Sequence, residues 1–249
     1  MGRTVIITGA TRGIGRAISL KLASQGFNLV LNYLADDVNA EKTVNECLEL
    51  TPNIRLVKGD VSSVKDVEAI VRITVDTFHS IDVVINNAGQ NIDKPLLEMK
   101  ETDWDRVVNT NMKGVFLLSQ AAARHMLAQG REGHIINIAA TTAIQGRVNG
   151  INYCASKAGV IVMTKCLALE LGPKIRANCV IPGFTRTRES IKRFDLENRE
   201  NEELEKRKIP LNRLARPEEI ANMVSFLLSH QASYINGQKF IVDGGEYMY

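Results

Sequence analysis

The feature that most limits the possible folds of this chain is a glycine-rich turn near its N-terminus. The residues Thr4–Ile7 form a β-branched apolar run that predicts a strand. Gly9, Gly13 and Gly15 follow, and after them comes an apolar-periodic segment that predicts a helix. Glycines in such a turn let a phosphate approach the amides at the start of the helix. The arrangement predicts a parallel α/β sheet with a nucleotide at the end of its first strand.

Length and patterning indicate one domain. The chain has 249 residues, of which 45% are apolar and 24% are charged, and this is enough for a large core. Predicted strands and helices alternate from end to end, as in a series of βαβ units. No linker or repeat interrupts the series, so we expect residues 1–249 to form a single domain.

Composition argues against several classes of protein. The net charge of +3 is too small to indicate nucleic-acid binding, and no apolar run approaches the ~20 residues of a membrane span. The cysteines at positions 47, 154, 166 and 179 lack zinc-binding spacing, so we expect reduced thiols and no metal. Because Met1 leads straight into the first strand, no signal peptide is expected, and we predict a cytoplasmic protein.

A tyrosine and a lysine four residues apart indicate proton-transfer chemistry. Tyr153 and Lys157 lie on one face of a predicted helix. A lysine ammonium roughly 4 Å from a phenol, at an effective dielectric of ~20, favours the phenolate by about 4 kcal/mol. We therefore expect Lys157 to lower the pKa of Tyr153 and to prepare it for proton transfer to a carbonyl oxygen. Taken alone, the same spacing also fits an ordinary helix with a solvated lysine.

Two further strand ends are expected at the same crevice. The segment Asp82–Gly89 predicts a buried strand that ends in two amides and a glycine, and Pro182-Gly183 ends the apolar run Ala177–Ile181. In an open α/β sheet, the carboxyl ends of parallel strands line the ligand crevice. These breaks therefore add to the nucleotide site predicted at the first strand.

Together these motifs resemble the short-chain dehydrogenase/reductase family over essentially the full chain. A closer similarity, to 3-oxoacyl-[acyl-carrier-protein] reductases, rests on Ile209–Ala221 and on the C-terminal glycine-containing segments; Asn212 replaces the glycine usual there. The resemblance implies a Rossmann fold, that is, a doubly wound, mostly parallel seven-stranded sheet with helices on both faces. The matching motifs are Thr8–Gly15, Asn86–Gly89, Asn111, Tyr153–Lys157 and Pro182-Gly183.

The resemblance also implies a nicotinamide cofactor and a role for each motif residue. Tyr153, Lys157 and Asn111 would be catalytic, with Asn111 helping to anchor a water that links the lysine to solvent. Other residues would contact the adenine, the nicotinamide amide or the phosphates. The candidate cofactor-binding residues are Thr8, Gly9, Thr11, Arg12, Gly13, Ile14, Gly15, Tyr33, Asp60, Val61, Asn87, Ala88, Gly89, Tyr153, Lys157, Pro182, Gly183, Thr185 and Thr187.

The end of the second predicted strand favours NADP(H) over NAD(H). Enzymes that select NAD usually place an acid there to bind the ribose 2′-hydroxyl, and here the position holds Tyr33. Arg12, in the glycine turn, is placed to pair with a 2′-phosphate. Asp36 and Asp37 follow soon after and weaken the argument.

One expected hydroxyl is absent. The family carries a catalytic serine thirteen residues before the tyrosine, and this position is Ala140. Losing one such donor typically costs on the order of 10²–10³ in rate. If the chain stays extended past Ala140, Thr142 faces the same side and is the candidate substitute. Thr141 would face away unless a local bulge turns it inward.

Two functions remain open at this point. The first is an NADP(H)-dependent carbonyl reductase or alcohol dehydrogenase of the 3-oxoacyl reductase type, in which Tyr153 donates the proton. The second is a catalytically impaired nucleotide-binding protein that acts as a sensor or partner subunit. The joint presence of Tyr153, Lys157 and Asn111 favours the first, since binding alone would not require all three.

The resemblance implies partners as well as chemistry. Residues 188–208, with seven basic and seven acidic side chains, would form a mobile lid over a small-molecule or acyl-thioester substrate. If that substrate is attached to an acidic acyl carrier protein, Arg131 and Lys174 would dock the carrier near the mouth of the cleft. A homotetramer would bury the helices that carry Asn111 and Tyr153.

Overall fold

A seven-stranded sheet organises the computed structural model, which describes residues 2–248. Its order is β3-β2-β1-β4-β5-β6-β7, and every neighbouring pair is parallel. The order reverses between β1 and β4, which is the switch point where open α/β sheets bind ligands. The strands are β1 (Thr4–Ile7), β2 (Asn28–Tyr33), β3 (Ile54–Lys58), β4 (Val83–Asn86), β5 (Gly133–Ile138), β6 (Ile175–Pro182) and β7 (Lys239–Val242).

Helices connect the strands, as a parallel sheet requires. A π-helical turn, Asn109–Lys113, lies between α4 and α5, and short 3₁₀ segments occur at Leu96–Glu98 and His230–Ala232. No helix within residues 2–248 is both long and apolar enough to cross a membrane. The helices are α1 (Gly13–Ala23), α2 (Asp37–Leu48), α3 (Val64–Phe78), α4 (Glu101–Val108), α5 (Gly114–Ala128), α6 (Thr142–Gln145), α7 (Ile151–Leu171), α8 (Arg188–Arg193), α9 (Arg199–Lys206) and α10 (Pro217–Leu228).

Two apolar clusters cover the two faces of the sheet. One joins alternate residues of β1 and β2 to α1 and α10, and includes Ile7, Leu22 and Val224. The other joins the intervening residues to α3 and α5, and includes Ile6 and Leu118. Alternate strand residues thus enter opposite clusters, because successive side chains of a strand point to opposite faces. The predicted doubly wound sheet is confirmed, and all of its strands are parallel.

The predicted carrier-docking residues lie at the wrong edge of the sheet. Lys174 directly precedes β6 and Arg131 lies two residues before β5, and both are exposed. Ala140 and Gly183 follow the other ends of these strands, and a six-residue strand is roughly 20 Å long. The expectation that Arg131 and Lys174 flank the cleft of their own chain was therefore wrong.

Candidate active site

The glycine turn after β1 fits an anionic group. Gly9 and Gly13 adopt positive φ values of 58° and 51°, and a Cβ on Gly15 would lie 2.1 Å from the Gly9 carbonyl oxygen. Helix α1 starts after Arg12 with no side-chain cap and no acidic residue in its first turn. Its first amides are therefore available to a phosphate.

Partly buried hydrogen bonds tie this turn to the end of β4. The Thr8 hydroxyl accepts from the amides of Asn87 and Ala88, both at 3.0 Å. The Asn87 side-chain amide donates to the carbonyls of Thr8 and Gly9, at 2.9 and 3.0 Å. Although 79 residues separate Thr8 from Asn87 in the chain, the two strand ends form one hydrogen-bonded floor for the crevice.

The remaining cofactor candidates surround the same crevice or support its walls. Asp60 accepts from the amide and the hydroxyl of Ser62 and so shapes the turn after β3. Val61 is buried close to Gly114, where an added Cβ would lie 2.8 Å from the Val61 side chain. Thr187 caps α8 and lies against Gly13, whose added Cβ would be 3.3 Å from its methyl group. The other five are buried Thr11, partly buried Ile14, and Pro182 and Gly183 with Thr185 at the end of β6.

The acids near the end of β2 are already engaged. Asp37 accepts from the Tyr33 hydroxyl at 2.7 Å and pairs with Lys58 at 3.0 Å. Asp36 caps α2 through the Asn39 amide, and this contact holds the pKa of Asp36 below its usual value. Lys58 was missed by the sequence analysis. It ends β3 opposite Tyr33, and only the strand register shows that it stands there.

Asn111 and Lys157 are buried beside the loop that follows β4. Asn111 lies in the π-helical turn, where its side chain accepts from the Gln90 amide at 2.9 Å and donates to the Gln90 carbonyl at 3.0 Å. Lys157 donates to the Ile138 carbonyl at 2.7 Å, and burial lowers the pKa of its ammonium to about 8. A Cβ on Gly89 would lie 3.4–3.5 Å from both side chains.

Tyr153 has an environment different from the expected one. Burial raises the pKa of its hydroxyl to about 12, and the largest opposing influence is the positive charge of Arg147. The Lys157 ammonium is held by Ile138 and is not among the charges that shift this pKa. The expectation that Lys157 lowers the pKa of Tyr153 is therefore not met in this structure, because desolvation dominates.

The segment after β5 also departs from expectation. The strand ends at Ile138 and helix α6 begins at Thr142, so the chain does not stay extended past Ala140. The two-residue alternation that related Thr142 to Ala140 therefore does not apply. Thr142 nevertheless has a buried hydroxyl without a hydrogen-bond partner, whereas Thr141 is buried and its amide donates to the Pro182 carbonyl at 3.3 Å.

Fold and crevice define a class: an α/β protein with a glycine turn after its first strand, a tyrosine and a lysine on α7, and an asparagine in the π-helical turn. A family model described as enoyl-(acyl carrier protein) reductase matches residues 9–246. The chain belongs to the short-chain dehydrogenase/reductase family of oxidoreductases.

Similar proteins cover the whole chain. It is 40% identical to a 3-oxoacyl-[acyl-carrier-protein] reductase of Staphylococcus aureus, over 100% of this chain and 99% of the relative. A Synechocystis reductase of the same name is 39% identical over 99% and 98%. Among solved structures, a short-chain dehydrogenase/reductase of Brucella melitensis described as a glucose/ribitol dehydrogenase matches with a TM-score of 0.92 and 34% identity, over 99% and 97% of the two chains. These relatives all carry enzyme names, and they give no support to the alternative of an impaired binding protein.

Proposed function

We propose that this protein reduces the ketone of a 3-oxoacyl thioester with NADPH, with Tyr153 as the proton donor. The observation that carries the proposal is that Asn111 and Lys157 lie beside Gly89, in the loop whose preceding amides are hydrogen-bonded to Thr8 of the glycine turn. Tyr153 lies one turn before Lys157 on α7. The names of the full-length relatives supply the substrate class. By the same names we propose an acyl carrier protein as the carrier. The cytoplasmic location that we propose is compatible with the four free cysteines.

The chemistry divides between the cofactor and the chain. When bound, NADPH supplies a hydride to the carbonyl carbon. The Tyr153 hydroxyl donates its proton to the carbonyl oxygen, so that the product is an alcohol and the residue left behind is a phenolate. Lys157 would bind the nicotinamide ribose with the two ammonium hydrogens that remain after its bond to Ile138. Asn111 lies in the π-helical turn beside Lys157. We propose that the route by which Tyr153 regains its proton passes through this region.

The proposed cofactor is NADP(H). Arg12 is exposed at the start of α1. The positive charges of Arg12 and Arg188 both act on the carboxylate of Asp36, which follows β2. Asp37, the other acid in this region, is neutralised by Lys58. A 2′-phosphate there would meet Arg12 and the neutral Tyr33, while the Asp37 carboxylate is paired with Lys58 and that of Asp36 caps α2.

Residues 188–208 are proposed as the substrate lid, and a homotetramer as the assembly. The lid consists of α8 and α9, and Leu196 packs with Ile209 and Leu214 in a small cluster of its own. The helix faces expected at the tetramer interface expose Phe116 and Val162, at 48% and 59%, while Val115 and Val160 on the same helices are buried. Such exposure of large apolar side chains is compatible with an interface between copies of this chain.

A reductase assay tests the proposal. Purified protein is given NADPH or NADH with acetoacetyl thioester, free or attached to acyl carrier protein, and cofactor oxidation is followed by absorbance. Tyr153→Phe should bind NADPH as the parent does and lose turnover by about 10²–10⁴-fold, the usual contribution of a general acid. Tyr234→Phe is the matched control, because Tyr234 is fully exposed. A Tyr153→Phe protein that keeps most of its rate would place the chemistry elsewhere.

A further inference from the structure

Arg147 covers the ring of Tyr153. Its guanidinium carbon lies 4.9 Å from the ring centroid, within the range of a cation–π contact. Arg147 belongs to the segment between α6 and α7, six residues before the tyrosine, and no motif in the sequence drew attention to it. The nicotinamide chemistry proposed above assigns it no role.

Several contacts fix the guanidinium in this position. One nitrogen donates to the Asn91 side-chain oxygen at 2.9 Å and to Asp93 at 2.6 Å. The second oxygen of Asp93 pairs with Arg193 of α8. The loop after β4 thus holds Arg147 from one side, and the lid holds that loop. Arg147 is held where it is by a network that crosses three separate segments of the chain.

The chain also makes room for this arginine at some cost. A Cβ on Gly150 would lie 2.4 Å from the Arg147 Nε, so any larger residue at that position would displace the side chain. The same Nε is buried without a hydrogen-bond partner, and an unpaired buried donor typically costs about 1–3 kcal/mol. Because this nitrogen has no partner, hydrogen bonding alone does not explain where the Arg147 side chain lies. The position does bring the guanidinium against the ring of Tyr153.

The charges around Tyr153 act in opposite directions. Arg147 favours the phenolate, while Glu189 of α8 and the neighbouring Cys154 disfavour it. Glu189 accepts from the Asn91 side chain at 3.2 Å, so the arginine and the glutamate are held by the same loop. Lys157, one turn further along α7, is turned toward Ile138. Among these groups, Arg147 is the cation that lies against the tyrosine ring.

We propose that Arg147 is a positioning residue for Tyr153, holding the ring and stabilising the phenolate that proton donation leaves behind. The inference rests on the proposed role of Tyr153. A cation close to the phenol lowers the free energy of the charged form. It does so at a site where the neutral serine donor of the family is replaced by Ala140. Arg147 therefore supplies, through Tyr153, part of the electrostatic stabilisation that the site otherwise lacks.

The test compares the removal of a positive charge with the removal of a negative charge on either side of Tyr153. Arg147→Gln should raise the pH at which alcohol oxidation reaches half its maximum by about one unit and lower kcat about tenfold, allowing for the charge of Arg147 that Asp93 offsets. Glu189→Gln should move the same midpoint in the opposite direction. Arg147→Lys keeps a positive charge near the ring, so its midpoint should lie between those of the parent and Arg147→Gln. A merely structural role would alter thermal stability or KM, and would leave the midpoint where the parent has it.

A readout independent of turnover completes the experiment. With ¹³Cζ-labelled tyrosine, the Tyr153 resonance is assigned by its loss in Tyr153→Phe and is titrated in the NADP⁺ complex of each variant. The resonance should titrate at higher pH in Arg147→Gln than in the parent. If Tyr153→Phe abolishes turnover but Arg147→Gln shifts neither the resonance nor the rate profile, the inference about Arg147 is wrong and the proposed function stands. If Tyr153→Phe stays active, the proposed function itself has failed.

Discussion

The two sides of the crevice are built from different kinds of contact. The proposed cofactor side, residues 8–15 and 86–89, is held by partly buried hydrogen bonds between Thr8 and Asn87 and by glycines with no room for a Cβ. The proposed substrate side, residues 139–150 and 188–208, is held by ion pairs of partly exposed side chains. It also contains both buried polar atoms found unpartnered in residues 2–248, on Thr142 and Arg147.

This difference separates what must stay fixed from what can vary. A hydrogen-bonded turn without room for a Cβ has one workable geometry, so we expect most substitutions there to disturb cofactor binding. Exposed ion pairs contribute little stability, so the substrate side can change residue by residue while the sheet remains folded. We expect the two sides to respond to mutation by very different amounts.

The largest effect is expected at Gly15. In Gly15→Ala the added Cβ would meet the Gly9 carbonyl oxygen at 2.1 Å, and the turn cannot keep its shape. Titration calorimetry should detect no NADPH binding. Gly26→Ala is the control, because its Cβ would meet nothing within 4 Å and only about 1 kcal/mol of backbone strain is added. NADPH affinity close to that of the parent in Gly15→Ala would show that the turn does not hold the phosphates.

The next effect is a gain at Ala140. Ala140→Ser should restore a donor to the developing alkoxide and raise kcat by up to about 10²-fold, with little change in KM, because that charge exists only near the transition state. If the unpartnered Thr142 hydroxyl serves as the substitute, Thr142→Val should lower kcat in the parent and matter much less in the Ala140→Ser background.

Two outcomes would contradict this account of Ala140. Equal effects of Thr142→Val in both backgrounds would show that its hydroxyl does not act on the substrate oxygen. A serine variant slower than the parent would show that the alanine makes space for the substrate, and the assigned substrate class would then need revision.

A smaller effect is expected at Arg12. Arg12→Ala should weaken NADPH binding about tenfold, corresponding to ~1.4 kcal/mol, and leave NADH binding almost unchanged. Arg16→Ala is the matched control on the same helix, since Arg16 pairs with Glu46 instead. Calorimetric titration of both cofactors measures the difference. Parent protein that binds NADPH and NADH equally would refute the proposed cofactor preference.

The smallest effect is expected at Arg186, which lies just before the proposed lid and pairs with a residue in it. Arg186 pairs with Glu202 at 2.6 Å, and its side chain is 42% exposed, so Arg186→Gln should lower the free energy of unfolding by less than about 1 kcal/mol. Asn87→Ala, which removes two hydrogen bonds from the cofactor side, should cost about 1–3 kcal/mol. Urea unfolding compares the two. Equal losses would remove the distinction between the two sides.

The sequence was sufficient where spacing alone defines the geometry. The strand before Gly9 and the strand that ends at Asn86 were both predicted and are both present, because apolar runs and glycine turns are local signals. Asn212, noted in the sequence as replacing a glycine, has a φ of 51°. Asparagine is among the few residues other than glycine that tolerate this left-handed conformation.

The tertiary structure decided what depends on burial, register and approach from distant segments. The alternation rule could not foresee that α6 starts at Thr142, because a short helix depends on its surroundings. The pKa of Tyr153 reflects its burial and Arg147 rather than the Lys157 spacing. Lys58 reaches Tyr33 through strand register, and Arg147 reaches Asp93, 54 residues away, through the fold. The sequence thus determined the family and its motifs, while the packing of separate segments set the electrostatics of the site.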